Sequence, residues 1–322
     1  MSLIQHLDAD DPLSTREGTL YLEDCSLAEL AERFGTPLNV VSEERLRLRA
    51  REFVREFSQA WGDGPVQVLP SLKANFSLAL RRILTEEGLG CDTFGPSELR
   101  AAIACGVPPA LISVNGSSKS PELVREALRA GAHLTLDSLR EVRLVVALAG
   151  ELGLDAGVRL RLRPDFSGVT APSEFAAGAQ TVGEVARRYK PGVPRDDLRE
   201  AAALLRGAAR VTVTGCHFHI GRHRPDLMLW EAALPCFARE LRAFADAMGG
   251  GWTPLAVDVG GGFSPRRDPA EAQHAEPGDA PRSVPSVADY ARVVATTLRQ
   301  AMTDVGLPTR GVTLQLEPGR SL

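Results

Sequence analysis

The sequence predicts an α/β protein in which eight parallel strands, each followed by a helix, close into a (β/α)8 barrel. From residue 67 onward, short apolar or β-branched runs alternate with amphipathic stretches of helix length. Most connections are short, as parallel strands with helical crossovers require. The GxGxxG turn that an open dinucleotide-binding sheet would carry after an early strand is missing.

The elements follow in order. Thr19–Leu22 and residues 38–41 read as strands ahead of the barrel, with a short helix near 26–34 between them. A long amphipathic helix starts after Ser42, a good N-cap, and runs to about residue 60. Its arginines between Arg45 and Arg55 are mixed with glutamates and read as a solvated face. The eight barrel strands are expected at 67–72, 90–93, 111–114, 134–136, 157–162, 211–220, 255–259 and 313–317. Helices are expected at 77–87, 96–105, 120–130, 138–152, 196–206, 228–248 and 287–305. Ser120-Pro121-Glu122 combines an N-cap with proline at the first helical position, and Gly88, Gly106 and Gly131 mark helix ends. Two long loops, 164–194 and 264–286, follow strands and would overhang the catalytic face of a barrel.

Charge and cysteine usage exclude several classes. With 37 basic and 41 acidic residues the net charge is −4, which favours neither nucleic acid nor an anionic membrane as partner. The five cysteines are odd in number and lack CxxC spacing, so they read as small apolar fillers in a reduced, cytoplasmic protein. No apolar stretch approaches membrane-spanning length.

The chemistry starts at Lys73. Only Lys73, Lys119 and Lys190 among the 37 basic residues are lysines. Lys73 ends an apolar run, where a partly desolvated amine can lose its proton and act as a nucleophile, as arginine cannot. Other suggestive residues also fall at strand ends: Asp92, Arg161 with Arg163, His217 with His219, Gly260-Gly261-Gly262, and Glu317-Pro318-Gly319-Arg320. Barrel active sites gather there. Consecutive glycines let backbone N–H groups cradle an anion. Glu317 offers a carboxylate for a protonated ring nitrogen, and Arg320 a clamp for phosphate. A metal-dependent hydrolase built on His217 and His219 is the weaker alternative, because the pair comes late and has few later ligands. A nucleophilic lysine, phosphate donors, a ring-stacking histidine and a ring-nitrogen carboxylate together describe pyridoxal 5′-phosphate.

On Ser71-Leu72-Lys73-Ala74-Asn75, Cys91-Asp92, Ser97-Glu98-Leu99, Val158-Arg159-Leu160-Arg161, His217-Phe218-His219-Ile220-Gly221, Asp258 to Phe263 and Glu317 to Ser321, the chain resembles the fold type III pyridoxal phosphate-dependent decarboxylases. This group contains the diaminopimelate and ornithine decarboxylases, and the closing motif is more like the diaminopimelate branch. The resemblance implies an alanine racemase-like, PLP-binding TIM barrel with an incomplete β-rich second domain. It implies that residues 1–36 associate with that second domain, that 37–322 form the barrel, and that the C-terminal β domain is largely absent. It implies a lyase that releases CO2 from an amino acid, dimeric when full length; ornithine, lysine or arginine is an alternative substrate. A barrel that binds the cofactor with little turnover is a further alternative. Lys73 would bond the cofactor's aldehyde and His219 would stack on its ring. Glu317 would hold the ring nitrogen; Gly261, Gly262 and Arg320 would bind phosphate; Asp92 and Arg161 would be polar support. Arg222 stands where the family usually has serine, and would contact either the phosphate or a substrate carboxylate.

Overall fold

The computed structural model describes residues 12–166, 169, 192–221, 226–265 and 284–322. Three short strands come first: β1 Leu13–Arg16, β2 Thr19–Leu22 and β3 Cys25–Ser26 form an antiparallel sheet of their own. Helix α1, Leu27–Phe34, starts at Ser26, whose hydroxyl accepts the Glu29 N–H at 3.2 Å. The strand expected at 38–41 does not form. Leu38, Val40 and Val41 are exposed in irregular chain. An alternating apolar run becomes a strand only against a partner edge, and no described strand pairs with this one.

Helix α2, Glu43–Trp61, begins at Ser42, which accepts the Arg45 N–H at 3.0 Å. Ala50, Phe53, Phe57 and Trp61 recur at helical spacing and form its buried face. Its opposite face is held as well as solvated: Arg47 and Arg51 reach Glu87 on the following helical segment at 2.8 and 2.7 Å.

All eight barrel strands form. They are β4 Val66–Val68, β5 Cys91–Thr93, β6 Ile112–Val114, β7 His133–Leu136, β8 Ala156–Arg161, β9 Val211–His217, β10 Ala256–Asp258 and β11 Thr313–Leu316. Their order is β5-β6-β7-β8-β9-β10-β11-β4, with every ladder parallel. The last seam, between β4 and β5, closes through Gly90 N–H to Val68 O at 3.0 Å and Asp92 N–H to Pro70 O at 3.2 Å. Helices α3 Leu78–Glu86, α4 Pro96–Ala104, α5 Pro121–Ala130, α6 Leu139–Leu152, α7 Leu198–Arg206, α8 Leu227–Met248 and α9 Val287–Asp304 match the seven expected. The long loops fall largely outside the described residues.

Two features of the packing position the site. The barrel interior is polar on one level: the buried Arg159 guanidinium bonds Ser113 and Gln315 and pairs with Asp258 at 3.0 Å, tying β8 to β6, β11 and β10. Beyond β10, the Phe263 ring packs on Phe53, Phe57, Trp230 and Tyr290, with centroid separations of 5.6, 5.6, 5.3 and 5.4 Å. This aromatic nest pins the end of the glycine turn to α2, α8 and α9.

Candidate active site

The strand that leads to Lys73 is shorter than its apolar run suggests. Pro70 has no N–H to extend the ladder, and the chain turns into a single 3-10 turn, Leu72–Ala74. The Lys73 side chain is 52% exposed, so its amine is only partly shielded from solvent. Its Nζ donates to Ser71 Oγ at 2.6 Å and lies 3.2 Å from Asp92 Oδ2, with the Phe94 ring centroid 4.1 Å away. Position and partner make the lysine accessible and aimed.

Behind it lies a chain of buried groups. Asn115, one residue past β6, donates through its side-chain nitrogen to Asp92 Oδ1 at 2.6 Å and to Glu317 Oε1 at 2.5 Å. The other oxygen of Glu317 faces His217 Nε2 at 3.3 Å. Burial holds His217 neutral, its pKa pushed down to about 3, so its Nε2–H donates to the carboxylate. Burial first, and then the Asp92 charge, push Glu317 up to about 7. Asp258 is also raised to about 7, by burial and then by Glu317, despite Arg159 beside it. Glu317 is thus a buried acid poised near neutrality, not a partner in a surface ion pair.

Steric demands explain the triple glycine. A Cβ on Gly261 would stand 2.4 Å from Glu317 O, and one on Gly262 2.5 Å from Gly221 O. One on Gly260 would meet Phe218 O at 2.8 Å and His219 Cδ2 at 2.9 Å. The turn threads between the exits of β9 and β11, and only a chain without side chains passes. It brings His219 and Glu317 to the same rim. The Glu317-Pro318-Gly319-Arg320 turn docks on the lysine's turn through Ser71 N–H to Pro318 O at 2.9 Å, and Arg320 is exposed at its end.

Lys73, Asp92, Glu317, His219, Gly261 and Gly262 thus converge at the C-terminal mouth. Arg161 stands one strand further round and pairs with Asp137 at 3.7 Å, a carboxyl that burial raises to about 6. Arg222 lies outside the described residues. Sequence reasoning missed Asn115 and Arg159. Asn115 could have been found by the strand-end rule that exposed Asp92, since it directly follows β6. For the metal alternative, His217, Asp258 and Glu317 lie close enough to share an ion, but His219 is not in the group. The Arg159 guanidinium at Asp258 already supplies a cation there, and a second would be repelled.

A parallel barrel with a rim lysine, a buried acid and a glycine turn defines a class, and comparison with known proteins agrees. Residues 26–322 match the family described as pyridoxal-dependent decarboxylase, pyridoxal binding domain. The chain belongs to this family, whose cofactor is pyridoxal phosphate. It is 32% identical over 314 residues to the diaminopimelate decarboxylase of Zymomonas mobilis subsp. mobilis, covering 97% of this chain and 67% of that protein. It is 29% identical to that of Archaeoglobus fulgidus, covering 96% of this chain and 66% of the relative. The crystal structure of diaminopimelate decarboxylase from M. jannaschii in complex with L-lysine superposes with a TM-score of 0.81 at 26% identity, over 97% of this chain and 67% of that one. The chain spans about two thirds of the length of the curated relatives it matches.

The donor set fits the cofactor. An accessible amine can meet an aldehyde, and a buried carboxylate already held by two donors keeps lone pairs for a ring nitrogen. Backbone at the glycine turn is bare enough to approach a phosphate.

Proposed function

We propose that this chain is the barrel of a pyridoxal phosphate-dependent amino-acid decarboxylase acting on diaminopimelate. The observation that carries the reading is the unbroken chain from Lys73 through Asp92 and Asn115 to Glu317, which joins an amine at the mouth to a buried acid. When bound, pyridoxal phosphate supplies an aldehyde that captures amines and a protonated ring that accepts the electron pair left as CO2 departs. The residues do the rest. Lys73 Nζ attaches the cofactor, and Asp92 Oδ2 and Ser71 Oγ orient that amine and lie close enough to exchange a proton with it. Glu317 keeps a proton on the ring nitrogen, and neutral His217 gives it a hydrogen bond without a competing positive charge. His219 offers its flat face to the ring. Gly261, Gly262 and Arg320 take the phosphate, and Asp92 and Arg161 supply polar support. Arg222 reads either the phosphate or a substrate carboxylate.

Diaminopimelate is favoured as substrate by the names of the relatives. We read the protein as a homodimer in the cytoplasm; five free thiols support the setting. Residues 1–36 are assigned to a second, β-rich domain, a reading supported by a first sheet that shares no ladder with the barrel. A second reading, cofactor binding with little turnover, is favoured by the mouth itself. Lys73 is half exposed there, and the Phe94 ring beside its amine is itself partly exposed.

One experiment separates the two. The protein is loaded with pyridoxal phosphate, and CO2 release is followed on meso-diaminopimelate, ornithine, lysine and arginine. Release from diaminopimelate, with L-lysine as product, supports the first reading. Borohydride-fixed cofactor on Lys73 without CO2 from any of the four supports the second, and neither outcome with the wild-type chain would sink both.

A further inference from the structure

Asn115 is 2% exposed and fixed by its own backbone N–H, which bonds Thr93 O at 2.8 Å. Its side chain stands between two acids, 2.6 Å from Asp92 Oδ1 and 2.5 Å from Glu317 Oε1. An ionised carboxylate only accepts hydrogen bonds, so the atom between them is the NH2 group with both hydrogens used. The opposite orientation would set the amide oxygen against two carboxylates. The Asn115 Oδ1 is buried without a hydrogen-bond partner, a cost the site tolerates. A buried asparagine that leaves its acceptor empty and commits both donors to separate acids is built for those acids.

We propose that Asn115 is a positioning residue that couples Asp92, the acid on the lysine, to Glu317, the acid at the back of the pocket. Its amide nitrogen is one donor shared by two buried carboxylates, so that a change of charge at Lys73 is felt at Glu317. It touches neither cofactor nor substrate; it acts through the two acids. This rests on the pyridoxal phosphate reading. Without the amide, each acid loses a donor that favours its charged form, and Glu317 binds a proton of its own rather than sharing one with the ring nitrogen.

The test is a double-mutant cycle with cofactor affinity as its readout, measured by quenching of tryptophan fluorescence as pyridoxal phosphate is titrated. Asn115→Leu is expected to weaken binding about tenfold in the wild-type background. In a Glu317→Gln background the same change is expected to cost at least about threefold less, because its target is gone. The pH midpoint of the cofactor's visible band should also rise in Asn115→Leu, which a merely structural role would not produce. Equal losses in the two backgrounds, or no loss in the first, would overturn the coupling. If Asn115→Leu does not fold, Asn115→Ser, which keeps one donor, is judged by the same ratio. Failure of the wild-type protein to bind pyridoxal phosphate removes the functional reading and this inference with it. Binding by the wild type with equal losses removes the inference alone.

Discussion

Two of the three lysines of this chain are placed at barrel loops, and they are opposites. Lys119 is 1% exposed, and its Nζ bonds Glu141 at 2.8 Å and Gly116 O at 2.6 Å, while its backbone N–H takes the other oxygen of the same glutamate. Glu141 in turn accepts the Asp137 N–H at 2.9 Å, so the pair stitches the β6 loop to the start of α6. Lys73 is half exposed, with one hydroxyl at hydrogen-bond distance and a carboxylate at 3.2 Å. A buried ammonium held by a buried carboxylate is a structural tie. A half-exposed one at a mouth is open to a new partner, as a nucleophile must be. Rarity of lysine in the sequence flags both, and each Nζ makes two hydrogen bonds; burial tells them apart.

The contrast breaks most sharply on substitution. Lys73→Ala should abolish borohydride-fixed cofactor and cut CO2 release by about a thousandfold or more. Its melting temperature should fall much less than that of a Lys119 variant, since Lys73 is half exposed and Asp92 keeps Asn115 as a donor. Lys119→Met should do the reverse. It leaves Glu141 buried and uncompensated, at a cost of about 3–5 kcal/mol in thermal or denaturant unfolding, while any protein that folds still captures cofactor on Lys73. Removing both charges, in Lys119→Met with Glu141→Gln, which keeps an acceptor for the backbone donors, should cost less than Lys119→Met alone. If Lys119→Met abolished the covalent link at unchanged stability, the assignment of roles would be reversed.

Most of the barrel was legible because its strands are buried on both faces and its helices carry clear caps. All eight strands and seven helices fall where apolar runs and caps set them. The exceptions have local causes. Residues 38–41 have strand composition but no partner edge among the described residues. The run toward Lys73 leaves regular strand after Val68 and enters a 3-10 turn at Leu72, and so the lysine lies half exposed at the mouth. At the site, Lys73, Asp92 and Glu317 could be named from strand ends, but the link between them could not. Asn115 and Glu317 are 202 positions apart, and no periodicity connects them. Arg159 was hidden for a different reason. It points into a barrel interior that strand patterning treats as apolar, and its partners come from three other strands.

The smallest effect tests the other half of the contrast, whether the acid behind Lys73 is poised as its geometry requires. Burial and Asp92 raise Glu317 to about 7, from an ordinary value near 4.3. A carboxyl raised in this way holds its proton more tightly folded than unfolded. Its contribution to stability is present at low pH and is lost as pH climbs through about 7. Cofactor-free wild-type protein should therefore lose part of its stability between pH 6 and pH 8, and Glu317→Gln, which has no such proton, should lose less. Asp258, also raised to about 7, acts in the same direction, and His217, depressed to about 3, acts oppositely as the unfolded imidazole titrates. Both remain in the variant: His217 largely cancels in the difference, while Asp258, relieved of the Glu317 charge, shifts it in the same direction as Glu317. The melting temperature of Glu317→Gln relative to wild type should accordingly rise from pH 6 to pH 8, by about 2 °C or more. A difference that does not change with pH would mean that the donors from Asn115 and His217 already hold Glu317 fully ionised. The acid behind Lys73 would then be as fixed as the one beside Lys119, and the distinction between the two lysines would rest on exposure alone.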